Sequence, residues 1–293
     1  MNRPTLTKIT APTLPSPPRQ KQLDQLFDLP VLPTSFDGRR EWGNLLTPIV
    51  DQGECGACYA IANVTAFNDR INIALNRIIA PLSFQYVVSC LRSRELLGCL
   101  GGSIWNGATA LVEYRIPYKN TYRLHPSCSL PGLQAQGAFT VSTPSMSIRD
   151  AVLAIQREVL LSGPVVSQMY MYEDFYKQWN KELRTQVYRY DGKSRAQGGH
   201  AVKIVGWGET PQLEKYWIVA NSWGKGGYEN SGYVLIRRGV NEVGIELNGS
   251  VCCQVSKVKI EEQIVAAPLF IPWLPFLLLA VLLLGLTIFR YKS

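Results

Sequence analysis

Between Cys58 and Ile78 apolar side chains recur every three or four residues, at Ile61, Val64, Phe67, Ile71, Leu75 and Ile78. Past Pro164 the chain instead breaks into short runs rich in Val, Ile, Tyr and Trp between glycines: AVKIVGWG (201–208), KYWIVANSWG (215–224) and GYVLIRRG (232–239). The first spacing follows the turn of a helix and predicts a long amphipathic helix beginning at Cys58. A second helical pattern, Ile148 to Leu161, is stopped by Ser162-Gly163-Pro164. The later runs carry strand and hairpin signals. Helices first and strands afterwards point to an α+β fold, a helical half and a β half meeting at an interface.

The chain has 293 residues, 46% of them apolar, enough to bury one large domain or two halves sharing a cleft. Its net charge of +8 is spread along the chain with no basic run interleaved with aromatics, which argues against nucleic-acid binding. Residues 1–31 are rich in Pro and Thr, lack the apolar run of a signal peptide and are expected to form a flexible arm. The body is expected over residues 32–260. From Ile264 to Phe289 no charged residue appears, and a helix of that length exceeds the roughly 30 Å of a bilayer core. This predicts a transmembrane segment over 264–289, with Pro268, Pro272 and Pro275 in its first half, Trp273 at one interface, and a short basic tail, 290–293, holding Arg290 and Lys292 at the other.

The stretch DQGECGACYAIAN (51–63) places Cys55 and Cys58 three apart at the helix start. A redox pair would put its first cysteine at the helix N-terminus, within a βαβ pattern, but here the helical pattern begins at the second. Zinc needs about four ligands, and the chain has two histidines and no second CxxC, so no metal and no cofactor are expected. A nucleophile needs a helix N-terminus that favours thiolate, and a histidine. Cys58 meets the first need and His200, after Gly198-Gly199, is the leading candidate for the second. His125, between Leu124 and Pro126, reads as a loop histidine. Asn221 in NSWG supplies an amide that could orient an imidazole, so that Cys58, His200 and Asn221 form a candidate set.

Cys55-Gly56-Ala57-Cys58-Tyr59 meets the C-G-[SA]-C-[WY] signature, and LPTSFDGR, GCLGG, GGHAVKIVGWG and YWIVANSWG extend the match. Over about 220 residues, from Leu32 to roughly Val255, the chain resembles the papain-like (C1 family) cysteine proteases, and NDRINI and SGPVV resemble cathepsin B more than cathepsin L. The resemblance implies the papain-like two-lobe fold, a helical lobe and a β-barrel-like lobe with the active-site cleft between them. It implies Cys58 as nucleophile, His200 as proton partner, Asn221 as orienter and Gln52 as oxyanion donor with the Cys58 backbone N–H. Trp223 would shield the His200–Asn221 bond. Gly101, Gly102, Ile104, Gly199 and Asn248, with Trp223, would line the substrate site, and Asn248 would give an uncharged polar floor. Cys55 would pair with Cys99 and Cys90 with Cys128, leaving Cys252 and Cys253 without a family counterpart.

Two departures bear on activity. Only about 33 residues precede the mature-like start, short for the family's propeptide, so control is expected to differ. Gly102 to Cys128 is too short for the two-histidine loop that makes cathepsin B trim dipeptides, so endopeptidase action on protein or peptide substrates is expected. The alternative is a catalytically silent papain-fold binding or structural protein. The C-terminal segment leads to an expected single-pass membrane location with a C-terminal anchor. Disulfides and the missing signal peptide conflict over compartment, which leaves a virion or lysosome-like compartment as the alternative.

Overall fold

The computed structural model of this protein describes residues 32–91, 96–124 and 126–266. The N-terminal arm, 1–31, and His125 lie outside the described residues. Helix α1, Cys58–Leu75, starts where the spacing predicts and ends before Ile78, because Asn76 adopts the left-handed conformation (φ 49°, ψ 40°) and closes the helix with its N–H on the carbonyls of Asn72 and Ile73. Asparagine tolerates that conformation better than most residues. Ile78 lies beyond that turn and is exposed. The helix is also less amphipathic than its sequence suggests: Asn63, Asn68, Asp69, Arg70 and Asn72 are buried together with its apolar stripe.

Three further helices, α2 (Phe84–Cys90), α3 (Ile104–Glu113) and α4 (Lys119–Leu124), complete the helical half. Ser83 and Ser103 cap α2 and α3 by accepting backbone N–H groups from Tyr86 and Asn106, which satisfies donors that the helix cannot. Helix α5, Ile148–Ser162, is capped by Ser147 and stops at Gly163, whose φ of 108° suits glycine. Two further helices are α6 (Glu173–Gln178) and α7 (Lys257–Ala266), and a single helical turn, Gly38–Glu41, precedes α1.

The strands are β1 (Phe36–Asp37), β2 (Gly137–Ser142), β3 (Val165–Tyr172), β4 (Val187–Tyr188), β5 (Ala196–Glu209), β6 (Lys215–Ala220), β7 (Tyr233–Arg237) and β8 (Ser250–Gln254). They form one sheet in the order β2-β8-β3-β5-β6-β7-β4, with β1 added to β5. All pairings are antiparallel except β4 with β7. Because strand side chains alternate, neighbours on one strand serve two cores. Val166, Ala201, Val251 and Cys253 pack on the helical half, while Val165, Val202, Ile204 and Cys252 pack within the β half. Strand β5 therefore stands at the junction, with α1 against it.

The C-terminal expectation needs correction. Helix α7 takes the first residues of the span expected to cross a membrane, Ile264 to Ala266, but runs for 10 residues and includes Lys257, Lys259, Glu261 and Glu262. A spanning helix needs about 20 largely apolar residues; α7 instead buries Ile260 in the helical core and packs Ile264 against it. Among the described residues no helix is long and apolar enough to cross a membrane. This contradicts the expected transmembrane helix over 264–289, the membrane contact through it and the single-pass location inferred from it; of that span, the described residues are Ile264 to Ala266. Residues 267–293 lie outside the described residues.

Candidate active site

The loop before α1 is held on both sides. Asp51 forms an isolated β-bridge with Trp223, and the backbone N–H of Gln52 donates to the Ser222 carbonyl at 2.8 Å. The Gln52 side chain, itself buried, donates from Nε2 to the Cys55 carbonyl at 2.9 Å and accepts at Oε1 from Ser222 Oγ at 2.5 Å. Further along, a Cys55–Cys99 disulfide and a hydrogen bond from Gly56 N to Cys99 O at 2.8 Å tie the loop to the turn Gly98–Leu100. A Cβ at position 56 would stand 2.6 Å from that carbonyl, so only glycine allows this approach. A second disulfide joins Cys90 at the end of α2 to Cys128.

Cys58 opens α1, where the first backbone N–H groups have no partner within the helix. It is buried and takes part in no disulfide. His200 sits on β5 opposite Met169. Its Nε2 lies 2.7 Å from Asn221 Oδ1, just past β6, and the same oxygen accepts the Ser222 backbone N–H at 2.8 Å. His200 Nδ1 is buried and finds no hydrogen-bond partner among the described residues. The Trp223 ring lies 5.3 Å from the imidazole, centroid to centroid. It is itself walled by Tyr176, stacked at 5.0 Å, and by the edges of Phe175 and Trp179. This aromatic wall covers one side of the imidazole.

The other residues singled out from sequence are placed as follows. Gly101 follows the Gly98–Leu100 turn with φ 116° and accepts the Leu97 N–H at 2.8 Å. Gly102 bridges Leu96 and lies against Tyr59, where an added Cβ would stand 2.8 Å from the ring. Ile104 begins α3 and is buried in the helical core; its carbonyl accepts from Asn63 Nδ2 at 3.1 Å. Gly199 pairs with Tyr170 across β5 and β3. Asn248 donates its backbone N–H to Gly244 O at 2.8 Å, and its Nδ2 has no partner among the described residues.

Residues 32–253 match the model of the papain family of cysteine proteases. The chain belongs to the papain family. Two relatives from this family are 33% identical to it: the cathepsin B-like cysteine proteinase 4 of Caenorhabditis elegans, over 254 residues and 73% of each chain, and the cathepsin B-like CP2 of Giardia intestinalis, over 227 residues, 73% of this chain and 72% of that one. Among solved structures, procathepsin B S9 from Trypanosoma congolense superposes with a TM-score of 0.69 at 26% identity, covering 86% of this chain and 87% of the other. As a cathepsin B-like member of the papain family the protein is a cysteine peptidase, with protein or peptide substrates.

Two contacts at this site were not legible in the sequence. Ser222 was visible only as a residue of NSWG, yet it bonds both Gln52 and Asn221. Gly56 was visible only as part of a signature, yet it carries the contact to Cys99. Cys252 and Cys253 face opposite cores on β8. Burial pushes both thiols up, Cys253 to about 12 and Cys252 well above its ordinary value, against the pull of the Arg70 guanidinium.

Proposed function

We propose that this peptidase is an endopeptidase working through Cys58, His200 and Asn221, with residues 32–260 as its catalytic body. The observation that carries the proposal is the double acceptance at Asn221 Oδ1. A backbone N–H can only donate, so the atom facing Ser222 is oxygen, and His200 Nε2 must carry the hydrogen in that bond. Nδ1 is then the ring nitrogen left to exchange a proton with the thiol.

Cys58 loses its proton to Nδ1, and its thiolate, favoured by the N-terminal end of α1, attacks the scissile carbonyl. Negative charge builds on the carbonyl oxygen. Gln52 has one Nε2 hydrogen on Cys55 O and a second to offer, with the Cys58 backbone N–H, to that oxygen. The imidazolium gives its proton to the leaving amine as the C–N bond breaks, leaving a thioester. Water then attacks the thioester with His200 as base, releasing the acid and restoring the thiol. Gly101 and Gly102 offer backbone to an extended substrate, with Gly199, Ile104, Trp223 and Asn248 around its side chains.

Endopeptidase action rests on the histidine count: with His200 in the site, only His125 remains in the chain, and a two-histidine loop cannot be made. Between Gly102 and Cys128, α3 and α4 take up most of the chain. Treatment with an epoxide or vinyl-sulfone peptide probe tests the proposal. A single adduct on Cys58, absent in Cys58→Ala, is expected, with internal cleavage of a blocked peptide. No adduct under conditions that label a cathepsin would instead favour a silent binding protein.

A further inference from the structure

The motif NDRINI (68–73) places a carboxylate and a guanidinium side by side on α1, and both are buried. Asp69 lies about three helical turns from Cys58. Its Oδ2 meets Lys203 Nζ at 2.5 Å, and its Oδ1 accepts the Thr47 N–H at 2.6 Å. Lys203, also buried, stands three residues after His200 on β5 and donates to Thr47 Oγ1 at 3.2 Å. We infer that the Asp69–Lys203 pair is a positioning pair that sets the nucleophile's helix in register with the histidine's strand. The inference rests on the proposed roles of Cys58 and His200.

Three observations support it. First, a buried ion pair contributes little net stability compared with apolar residues of the same shape, and it tolerates few geometries. Its consequence here is a fixed register, since sliding or rotating α1 on β5 would part the charges. Second, Arg70 holds the same helix on another side, donating to the carbonyls of Gly163, Pro164 and Cys253 and pairing with Glu158 at 2.8 Å. Successive residues therefore pin α1 to different parts of the β half. Third, a cavity of about 20 Å³ is lined by Lys203, Thr47, Thr65, Asn221 and Ser222, so Lys203 shares a cavity with the Asn221–Ser222 loop that bonds His200.

The charged and titratable groups facing the pair are few. Tyr233 on β7 feels Asp69, and burial followed by that charge pushes its hydroxyl up to about 12. Arg39 lies 5.4 Å from the Tyr233 ring centroid, and the neighbouring Arg70 turns to Glu158. Burial pushes the Asp69 carboxyl up while the Lys203 charge pulls it down.

The test compares the full chain with the double variant Asp69→Leu/Lys203→Met and with Lys203→Arg. Readouts are the melting temperature, kcat and KM on a peptide, and the pH dependence of Cys58 alkylation mapped by mass spectrometry. The double variant is expected to melt close to the parent while kcat falls about tenfold or more, KM stays within about twofold, and the acid limb of alkylation rises by about one pH unit. Lys203→Arg, which keeps the charge, is expected to retain most of kcat. A double variant with parental kcat and parental alkylation overturns the inference. Should the double variant fail to fold, Thr47→Val, at a half-buried position, removes one acceptor from the ammonium; a smaller shift in the same direction is expected, and a parental profile overturns the inference. A parent whose Cys58 shows no alkylation at acid pH refutes the proposed ion pair of the site instead, and this inference with it.

Discussion

His200 Nε2 and Asn221 Oδ1 stand 2.7 Å apart, and the oxygen is fixed from its other side by the Ser222 N–H. The amide cannot turn without losing both bonds, so the imidazole keeps one tautomer and one plane. Asn221→Ala is expected to lower kcat about a hundredfold, in the range of general acid–base contributions, with KM little changed. Steady-state kinetics on a blocked peptide checks this.

Gln52 connects the loop before α1 to the Asn221 loop through backbone and side chain, and its second Nε2 hydrogen is the proposed oxyanion donor. Gln52→Ala is expected to lower kcat by about 10²–10³. Peptide-aldehyde inhibitors, whose adduct carries the same oxyanion, should weaken in parallel; an undiminished inhibition constant would contradict the role.

The three cysteines outside disulfides are expected to differ in reactivity. Cys252 and Cys253 are buried with their thiols pushed up, so little thiolate forms at neutral pH. Native protein treated with iodoacetamide is expected to take one label, on Cys58, and to take labels on Cys252 and Cys253 only after denaturation. Peptide mapping distinguishes the positions.

Arg70 satisfies three backbone carbonyls and Glu158 from a buried position. Arg70→Met removes this donor from all four, and removing one partner of a buried pair costs about 3–5 kcal/mol. A fall in melting temperature of about 10 °C or more is expected, read by calorimetry.

Asp37 caps the short helix Gly38–Glu41 and holds Arg39 at 2.7 Å. Burial pushes its carboxyl up, but the hydrogen bonds and charge of Arg39 outweigh burial and hold it below its usual value. The folded state therefore binds fewer protons than the unfolded one in that window, and the contribution is present above pH about 4 and lost as pH falls through the folded value. Arg39→Gln should lower the melting temperature at pH 6, and the difference from the parent should shrink toward pH 3. A difference independent of pH would exclude this linkage.

Helix α1 could be read from spacing, and α5 from spacing and its Ser162-Gly163-Pro164 stop, because these signals are local. The β5, β6 and β7 runs were readable for the same reason. Local signals failed where a turn depended on one residue, as at Asn76, which ended α1 before Ile78. They failed again where a polar face met more protein instead of water: Asn68, Asp69, Arg70 and Asn72 look like a solvated stripe, but their partners include Leu82, Lys203, Cys253 and Leu45. An uncharged C-terminal run suggested a spanning helix, whereas its first residues close a short charged helix docked on the core.

The family, the succession of helices and then strands, and the residue types available for chemistry were legible before folding, since each is written in short stretches of chain. It took the packed fold to show that Ser222 locks Asn221 to Gln52, that Gly56 must pass the Cys99 carbonyl, and that Asp69 meets Lys203, 134 residues away in the chain. Those pairings depend on how separate elements pack, and no local pattern encodes the distance between them.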